Sequence, residues 1–344
     1  MPDTHPDKRL DSLKHWLRFV PARFGIEIES LRPASDDASF RRYFRIDCTG
    51  FSAKSLIVMD APPDREDSQP FVHAATVLER AGLTVPTLLH LDLDSGFLLL
   101  GDLGDETYLS CLGPETADSL YDDAATALIS LQRASAPGVF PDYDRAVLER
   151  ELKLYPEWYV ARHKNLTLSE TLARLLAEGF EALVANALAQ PRVFVHRDWH
   201  CRNLMRLAGE RNPGVLDFQD ALFGPITYDL VSLLRDAYID WPEAQQIDWA
   251  IRYWEKARAA SLPIHSDFAD FYRDFEWMGL QRQLKVLGIF ARLNYRDGKS
   301  RYLADMPRVL SYALGAARRY QALAGLARVL EDVEQTPGQT GYTF

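Results

Sequence analysis

Leu13, Trp16, Leu17 and Val20 stand at i, i+3, i+4 and i+7, the spacing of one helical face, in a helix that begins near Asp11 or Ser12 and is closed by Pro21 and Gly25. The period then changes. Residues 26–31 read as a short strand, residues 40–46 alternate as a strand does, and Leu56-Ile57-Val58-Met59 is another apolar run of strand length. Residues 68–81 carry helix punctuation, with Pro70 in the first turn and Gly82 past the end. Residues 85–93 and 96–100 flank Asp94-Ser95 as a hairpin and run into Gly101-Asp102-Leu103-Gly104. Beyond this point the helical period dominates. Leu120, Ala124, Leu128 and Leu131 share a face, residues 147–155 form a helix broken at Pro156, and residues 167–188 form another. From Pro242 to Leu330 come long helical patterns, most of whose aromatic and aliphatic positions are core. One stretch interrupts the helices: the short strand Val193-Phe194-Val195, a polar loop, and two short apolar runs, 204–207 and 215–218, joined by turn formers. The pattern therefore predicts an α+β chain: a small β-rich part over 1–103, a large mainly helical part over 104–334, and a loose tail over 335–344.

Composition narrows the chemistry. With 344 residues, 47% of them apolar, the chain can bury a sizeable core, and its formal charge of −10 lacks the basic footprint that nucleic acid or an anionic membrane requires. A small-molecule enzyme fits. Cys48, Cys111 and Cys201 are odd in number and show no paired-ligand spacing, as expected of a reducing compartment. The N-terminus has no apolar signal-peptide core, and no run reaches the roughly 20 apolar residues of a membrane span. The expectation is a cytoplasmic protein.

The interrupting stretch carries the chemistry. His196, Arg197 and Asp198 open the polar loop, and Asn203 follows Asp198 by five positions (203 − 198). Folding runs 204–207 and 215–218 into an antiparallel hairpin brings Asn203 beside Asp217, fourteen positions later (217 − 203). An amide and a carboxylate are hard oxygen donors, enough for Mg²⁺, which completes its shell with water and phosphate oxygens. Asp198 is then available to an acceptor hydroxyl. A competing reading takes His196, Asp198 and His200 as alternating metal ligands, but the other six histidines (5, 15, 73, 90, 163 and 265) are scattered singly. His196 reads better as a residue bonding the loop backbone.

These spacings resemble those of the protein-kinase and aminoglycoside-phosphotransferase superfamily, with H-R-D, Asn five positions past the Asp, and a second metal ligand opening D-F-G. Here the last motif reads Asp217-Phe218-Gln219, with Gln219 in place of glycine. The wording HRDWHCRNLM and VLDFQDALFGPITYDLVSLLRD is similar to that of the anomeric sugar kinases of bacterial cell-wall recycling, which act on the amino sugars N-acetylmuramate and N-acetylglucosamine. The resemblance implies a two-lobed kinase-like fold with ATP and Mg²⁺ between the lobes, Asp198 as catalytic base, and Asn203 and Asp217 on the metal. It also implies that Asp229, by pattern an N-cap for the helix that follows, steadies the catalytic loop.

On the same resemblance, the turn after residue 34 covers the ATP phosphates, with Ser35, Ala38 and Ser39 offering backbone amides, and Gly101, Asp102 and Leu103 form the hinge that bonds adenine. The strand lysine of kinases is missing, because Met59 occupies its place. Arg42, Arg45 or Lys54 is left to supply the charge, or metal and backbone donors suffice; alternation sets Arg42 and Arg45 on opposite faces and favours Arg42, whose face also carries the apolar Phe44 and Ile46. Trp158, Trp199, Trp241 and Trp277 are candidates for an aromatic face against a sugar ring. Three functions compete: a sugar 1-kinase, a kinase for another small acceptor such as an aminoglycoside or amino alcohol, and a nucleotide-binding pseudokinase scaffold.

Overall fold

The computed structural model describes residues 7–35, 40–50 and 54–334. The chain divides into two compact units, 1–106 with 205–220, and 107–204 with 221–344.

The first unit opens with helix α1 (Lys8–Leu17), whose first turn is capped by the Asp7 carboxylate accepting from Leu10 N at 3.0 Å. Strands β1 (Arg32–Ser35), β2 (Arg42–Asp47) and β3 (Ser55–Asp60), helix α2 (Gln69–Arg80), and strands β4 (Leu88–Asp92) and β5 (Phe97–Gly101) follow. The strands form one antiparallel sheet in the order β1-β2-β3-β5-β4. Phe44 pairs with Val58 and Val58 with Leu99, so these share a face, while Tyr43, Met59 and Leu98 share the other. The first face packs on α1: Ile46, Leu56, Val58, Phe97 and Leu99 join Leu13, Trp16 and Leu17 in one core, with Phe44 against it.

Residues 26–31 are not a strand. Ile26 makes a lone bridge to Cys48, and Ile28–Ser30 is a 3-10 turn. The reason is local: Ser30 Oγ accepts Asp47 N at 2.8 Å, so a side chain replaces the carbonyl that a strand would have offered to β2.

The second unit begins with α3 (Tyr108–Cys111), α4 (Ala117–Arg133) and α5 (Arg145–Leu154). Pro156 does not break the helix here. The chain continues from α5 into a π-helix, Tyr155–His163, closed by Lys164 N on Tyr159 O at 2.9 Å. Pro156 lies in the first turn of that segment, where proline is best tolerated, and the wider turn accommodates the ring. Then come α6 (Glu170–Ala189) and strand β6 (Arg192–Val195). After the short pair β7 (Leu204–Met205) and β8 (Gly214–Val215), strand β9 (Leu222–Pro225) returns to pair antiparallel with β6. Helices α7 (Tyr228–Leu234), α8 (Glu243–Ala259), α9 (Phe268–Tyr295), α10 (Met306–Arg319) and α11 (Ala324–Glu334) complete the unit. Helix α9 runs through its middle and is buried around its whole circumference over residues 278–288, among them Gln281, Arg282 and Lys285, with Glu276 buried just before. It approaches the junction of α5 and the π-helix so closely that a Cβ on Gly288 would stand 2.4 Å from the Leu154 carbonyl carbon.

The division falls after Glu106 rather than 103, and the hairpin segment 205–220 groups with the first unit. Its attachments explain this. Val215 N donates to Thr84 O at 2.8 Å, Gly214 bridges Thr84 in parallel, and Phe218 packs on Phe71 of α2 with ring centroids 4.9 Å apart.

Candidate active site

The polar loop starts where β6 ends. Its first two amides, His196 N and Arg197 N, donate to the two oxygens of Asp229 at 2.6 and 2.9 Å. Asp229 is 1% exposed in the first turn of α7, where the helix dipole favours negative charge. It is not the N-cap: Thr227 holds that position, and the carboxylate faces the loop instead of its own helix. Burial pushes its carboxyl up to about 7, against the pull of the two amides. His196 is also buried, and its Nδ1 accepts Asp198 N at 3.3 Å. Trp199 packs edge-on against it, with no exposed surface. Position 199 therefore belongs to the loop's foundation and offers no face to a sugar.

Arg197 holds a left-handed backbone, φ +80°, which costs a residue with a side chain of its size. Its guanidinium reaches Glu151 of α5, which is 4% exposed. The same carboxylate accepts Tyr143 Oη and Gln281 Nε2 and lies 3.1 Å from Lys285 Nζ of α9, while Lys285 also donates to Tyr228 Oη at 2.9 Å. Burial disfavours the charged Glu151, but Lys285 and Arg197 outweigh it and keep its carboxyl below the usual range. Two cations thus surround one buried anion, and the surplus positive field falls on the neighbouring loop.

Asp198 receives that field. Its side chain is 42% exposed, and its backbone carbonyl accepts His200 N and Asn203 Nδ2, each at 3.0 Å, closing the loop into a turn. Burial of its surroundings opposes charge, but Lys285, His200, Arg282 and Arg197 prevail and hold the carboxyl down to about 2. His200 Nε2 stands 4.0 Å from Asp198 Oδ1, and burial lowers the His200 pKa, so the permanent charges of lysine and arginine do most of this at neutral pH. Cys201 N is fixed by Asp236 Oδ2 at 2.9 Å. Asp198 is a carboxylate that stays ionised and is aimed by its backbone.

For a divalent cation the donor chemistry is suitable. The hydrogen bond from Asn203 Nδ2 to Asp198 O settles which end of the amide is nitrogen and turns the oxygen elsewhere. Asp217, in the first unit, is held at φ +62°, and its Oδ1 accepts Gln219 Nε2 at 2.7 Å. Hard oxygen donors of this kind suit Mg²⁺. Among the described residues no group of three His, Cys, Asp or Glu side chains is placed to hold a metal, so His196, Asp198 and His200 form no such cluster.

The nucleotide candidates fall into separate places. Ser35 ends β1 opposite Tyr43, whereas Ala38 and Ser39 lie outside the described residues. Gly101 N donates to Thr87 O at 2.9 Å, and Asp102 is a structural hub whose carboxylate accepts Arg45, Ser55 Oγ and Gly104 N. Leu103 lies where a Cβ on Gly214 would meet it at 2.9 Å. Arg42 does share its face with Phe44 and Ile46, but that face packs on α1, and Arg42 is bonded to Asp60 and Asp7. The apolar set turned inward toward α1, so alternation gave the pairing of faces correctly and the wrong neighbour.

Of the other tryptophans, Trp158 is half-buried in the π-helix and Trp277 packs on Tyr320. Trp241 donates to Tyr121 Oη at 2.9 Å and lines a cavity of about 400 Å³, with Arg235, Asp240, Glu276, Arg308 and Tyr312 also in its wall. Sequence reading missed Glu151 and Lys285. Their signal was a charge set within apolar helical faces, beside Leu148 and Leu152 in one case and among Leu284, Val286 and Leu287 in the other.

The profile of the phosphotransferase enzyme family (APH) matches residues 30–271. The N-acetylmuramate/N-acetylglucosamine kinase of Pseudomonas aeruginosa is 50% identical over 337 residues, covering 96% of this chain and 98% of that one. The protein of the same name from Neisseria meningitidis is 46% identical over 342 residues, covering 98% and 100%. Among solved structures, an ADP-bound aminoglycoside phosphotransferase aligns with a TM-score of 0.58 at 17% identity, over 90% of this chain and 98% of that one. A choline/ethanolamine kinase family protein from Mesorhizobium loti aligns at 0.61 and 15%, over 94% and 99%. These last two establish the kinase-like fold alone. Profile, near-full-length identity and fold agree: the chain belongs to the phosphotransferase enzyme family, and it is an ATP-dependent kinase acting on a hydroxyl.

Proposed function

We propose that the chain phosphorylates the anomeric hydroxyl of N-acetylmuramate, of N-acetylglucosamine or of both, returning peptidoglycan sugars to metabolism. The observation that carries this reading is near-full-length identity of 50% and 46% to two kinases so named. The charge arrangement at Asp198 supports it chemically. Phosphoryl transfer proceeds through a loose transition state in which alignment and charge neutralisation matter most. A carboxylate held to about 2 is a weak base, suited to orienting the hydroxyl and receiving its proton in a transition state that asks mainly for alignment. An anomeric hydroxyl, more acidic than other sugar hydroxyls, suits such a base. Asn203 and Asp217 are each metal-ligand candidates by their oxygen donors, and Mg²⁺, when bound, would supply neutralisation of phosphate charge. The cavity beside Trp241 is the acceptor candidate: an aromatic wall for the pyranose, Asp240 and Tyr312 for hydroxyls, and Arg308 for the acidic side chain of N-acetylmuramate.

The test is a panel of acceptors with ATP and Mg²⁺, read by ADP release and by the position of the new phosphate. Transfer to C1 of either amino sugar is the expected result. Transfer only to an aminoglycoside or amino alcohol, or nucleotide binding without transfer to any acceptor, overturns the proposal.

A further inference from the structure

Among the charges around Asp198, one lacks a bond. Arg282 of α9 is 4% exposed, yet among the described residues its guanidinium makes no hydrogen bond and no ion pair. Lys285 and Arg197, the other permanent cations that hold Asp198 ionised, are both committed to Glu151. The nitrogens of Arg282 are not enclosed, so the small exposed part of it includes the guanidinium.

Its direction follows from helix geometry, in which each residue turns by about 100°. Gly279 faces α7, where a Cβ on it would stand 3.4 Å from Val231 Cγ1. Lys285 faces Glu151 and Tyr228. Arg282 is three residues from each (282 − 279 and 285 − 282), so it lies about 60° round the helix from both, on the arc between them. That arc looks toward α7, whose Asp229 holds the first two amides of the polar loop. In keeping with this direction, the charge of Arg282 is felt by Asp198, Asp229 and His200 alike.

Burying a guanidinium without hydrogen bonds costs folding free energy. The bonds it lacks are those an anion brings, since its planar fork of donors matches phosphate or carboxylate oxygens in pairs. The function proposed above, on which this inference rests, offers two anions. The carboxylate of N-acetylmuramate hangs from C3, on the far side of C2 from the reacting C1 oxygen, whereas the phosphate arrives on that oxygen itself. A cation whose field falls on the residue that takes the C1 proton is placed for the phosphate.

We propose that Arg282 is a catalytic residue of the second unit, which binds the oxygens of the phosphoryl group as it reaches the acceptor and holds them in the sugar 1-phosphate. In that step the bond from the γ-phosphorus to the bridging oxygen of ADP breaks, and its electron pair leaves with ADP. The bond from phosphorus to the C1 oxygen forms, and the hydroxyl proton passes to Asp198. The transferred group carries negative charge on its equatorial oxygens throughout, so a fork already held in place by burial neutralises that charge with little reorganisation.

Calorimetry on the full chain measures the affinities of N-acetylglucosamine, N-acetylmuramate and their 1-phosphates for the wild type, Arg282→Met and Arg282→Lys, beside turnover and Michaelis constants with both sugars. Arg282→Met is expected to lose about 10- to 100-fold in affinity for the 1-phosphates, the span of charge-assisted hydrogen bonds, while the unphosphorylated sugars stay within about threefold. Turnover is expected to fall by a similar factor, with the acceptor Michaelis constants little changed, and Arg282→Lys to recover part of both. Because no hydrogen bond is lost, Arg282→Met is expected to melt no lower than the wild type. Should it not fold, Arg282→Gln, which keeps donors without the charge, is expected to show the same loss. An unchanged 1-phosphate affinity overturns the inference, and so does a rise in the Michaelis constant of N-acetylmuramate alone, which would make Arg282 the receptor of its carboxylate. Parallel weakening of every ligand with a lowered melting temperature would make the residue structural and equally overturns it. Wild-type protein that binds neither sugar overturns the acceptor reading itself, and the inference with it.

Discussion

Lys285 Nζ and Glu151 Oε1 are 3.1 Å apart, with both side chains buried and Arg197 completing the group. Removing one member of a buried ion pair leaves a charge without compensation and costs about 3–5 kcal/mol. Lys285→Met leaves Glu151 still paired with Arg197, whereas Glu151→Gln leaves two cations facing each other. Glu151→Gln is therefore expected to be the more destabilising of the two, and urea midpoints for both variants check this order. The reverse order would mean that the lysine, rather than the glutamate, anchors the cluster.

Asp198→Asn keeps the size and backbone contacts of the residue and removes its charge. Turnover is expected to fall by about 10²- to 10⁴-fold, the usual general-base contribution, with ADP·Mg²⁺ affinity kept within about threefold. Single-turnover rates and calorimetry on the same preparation decide it. Near-normal turnover would remove Asp198 from proton transfer.

The pH dependence should come from a different carboxylate. Asp198, held near 2, stays charged throughout the working range, whereas Asp229 is raised to about 7 from an ordinary 3.8. A folded-state pKa above the unfolded one means that the folded chain binds this proton more tightly. The group's contribution to stability is thus fully present below the ordinary value and is lost as pH rises through about 7. Activity runs the other way, since only the carboxylate can accept both loop amides. Turnover is expected to decline as pH falls through about 7 while thermal stability does not, measured from about pH 5 to about pH 9. A flat profile down to the lower limit would show that protonating Asp229 does not disturb the loop.

Asp217→Ala tests the metal assignment. The concentration of Mg²⁺ giving half-maximal ADP binding is expected to rise by about tenfold or more, since one of few protein oxygens is lost. Asn203→Ala should act in the same direction, and an unchanged titration in both variants would make these residues structural.

Much of this is legible in the sequence. Local motifs survive translation into space because a strand followed by a tight polar loop has few ways to fold, so the 196–203 segment and the β-rich first unit could be read directly. What sequence could not give was which partner occupies each face. Arg42 was placed on its apolar face correctly, but no periodicity tells that α1 rather than a phosphate lies beyond it. Asp229 looks like a helix cap because caps and loop anchors use the same residue at the same place. Trp199 and Trp241 are equivalent in sequence, yet one is sealed beneath the loop and the other lines a cavity. Pro156 reads in sequence as a helix end, whereas here it lies in the first turn of a π-helix beside α9, where Gly288 permits close approach.

The contact between Phe71 and Phe218 ties the chain segment that carries Asp217 to the position of α2. Phe218 adjoins Asp217 in the chain, so a displacement of α2 that drags its phenyl ring also turns the metal-ligand candidate.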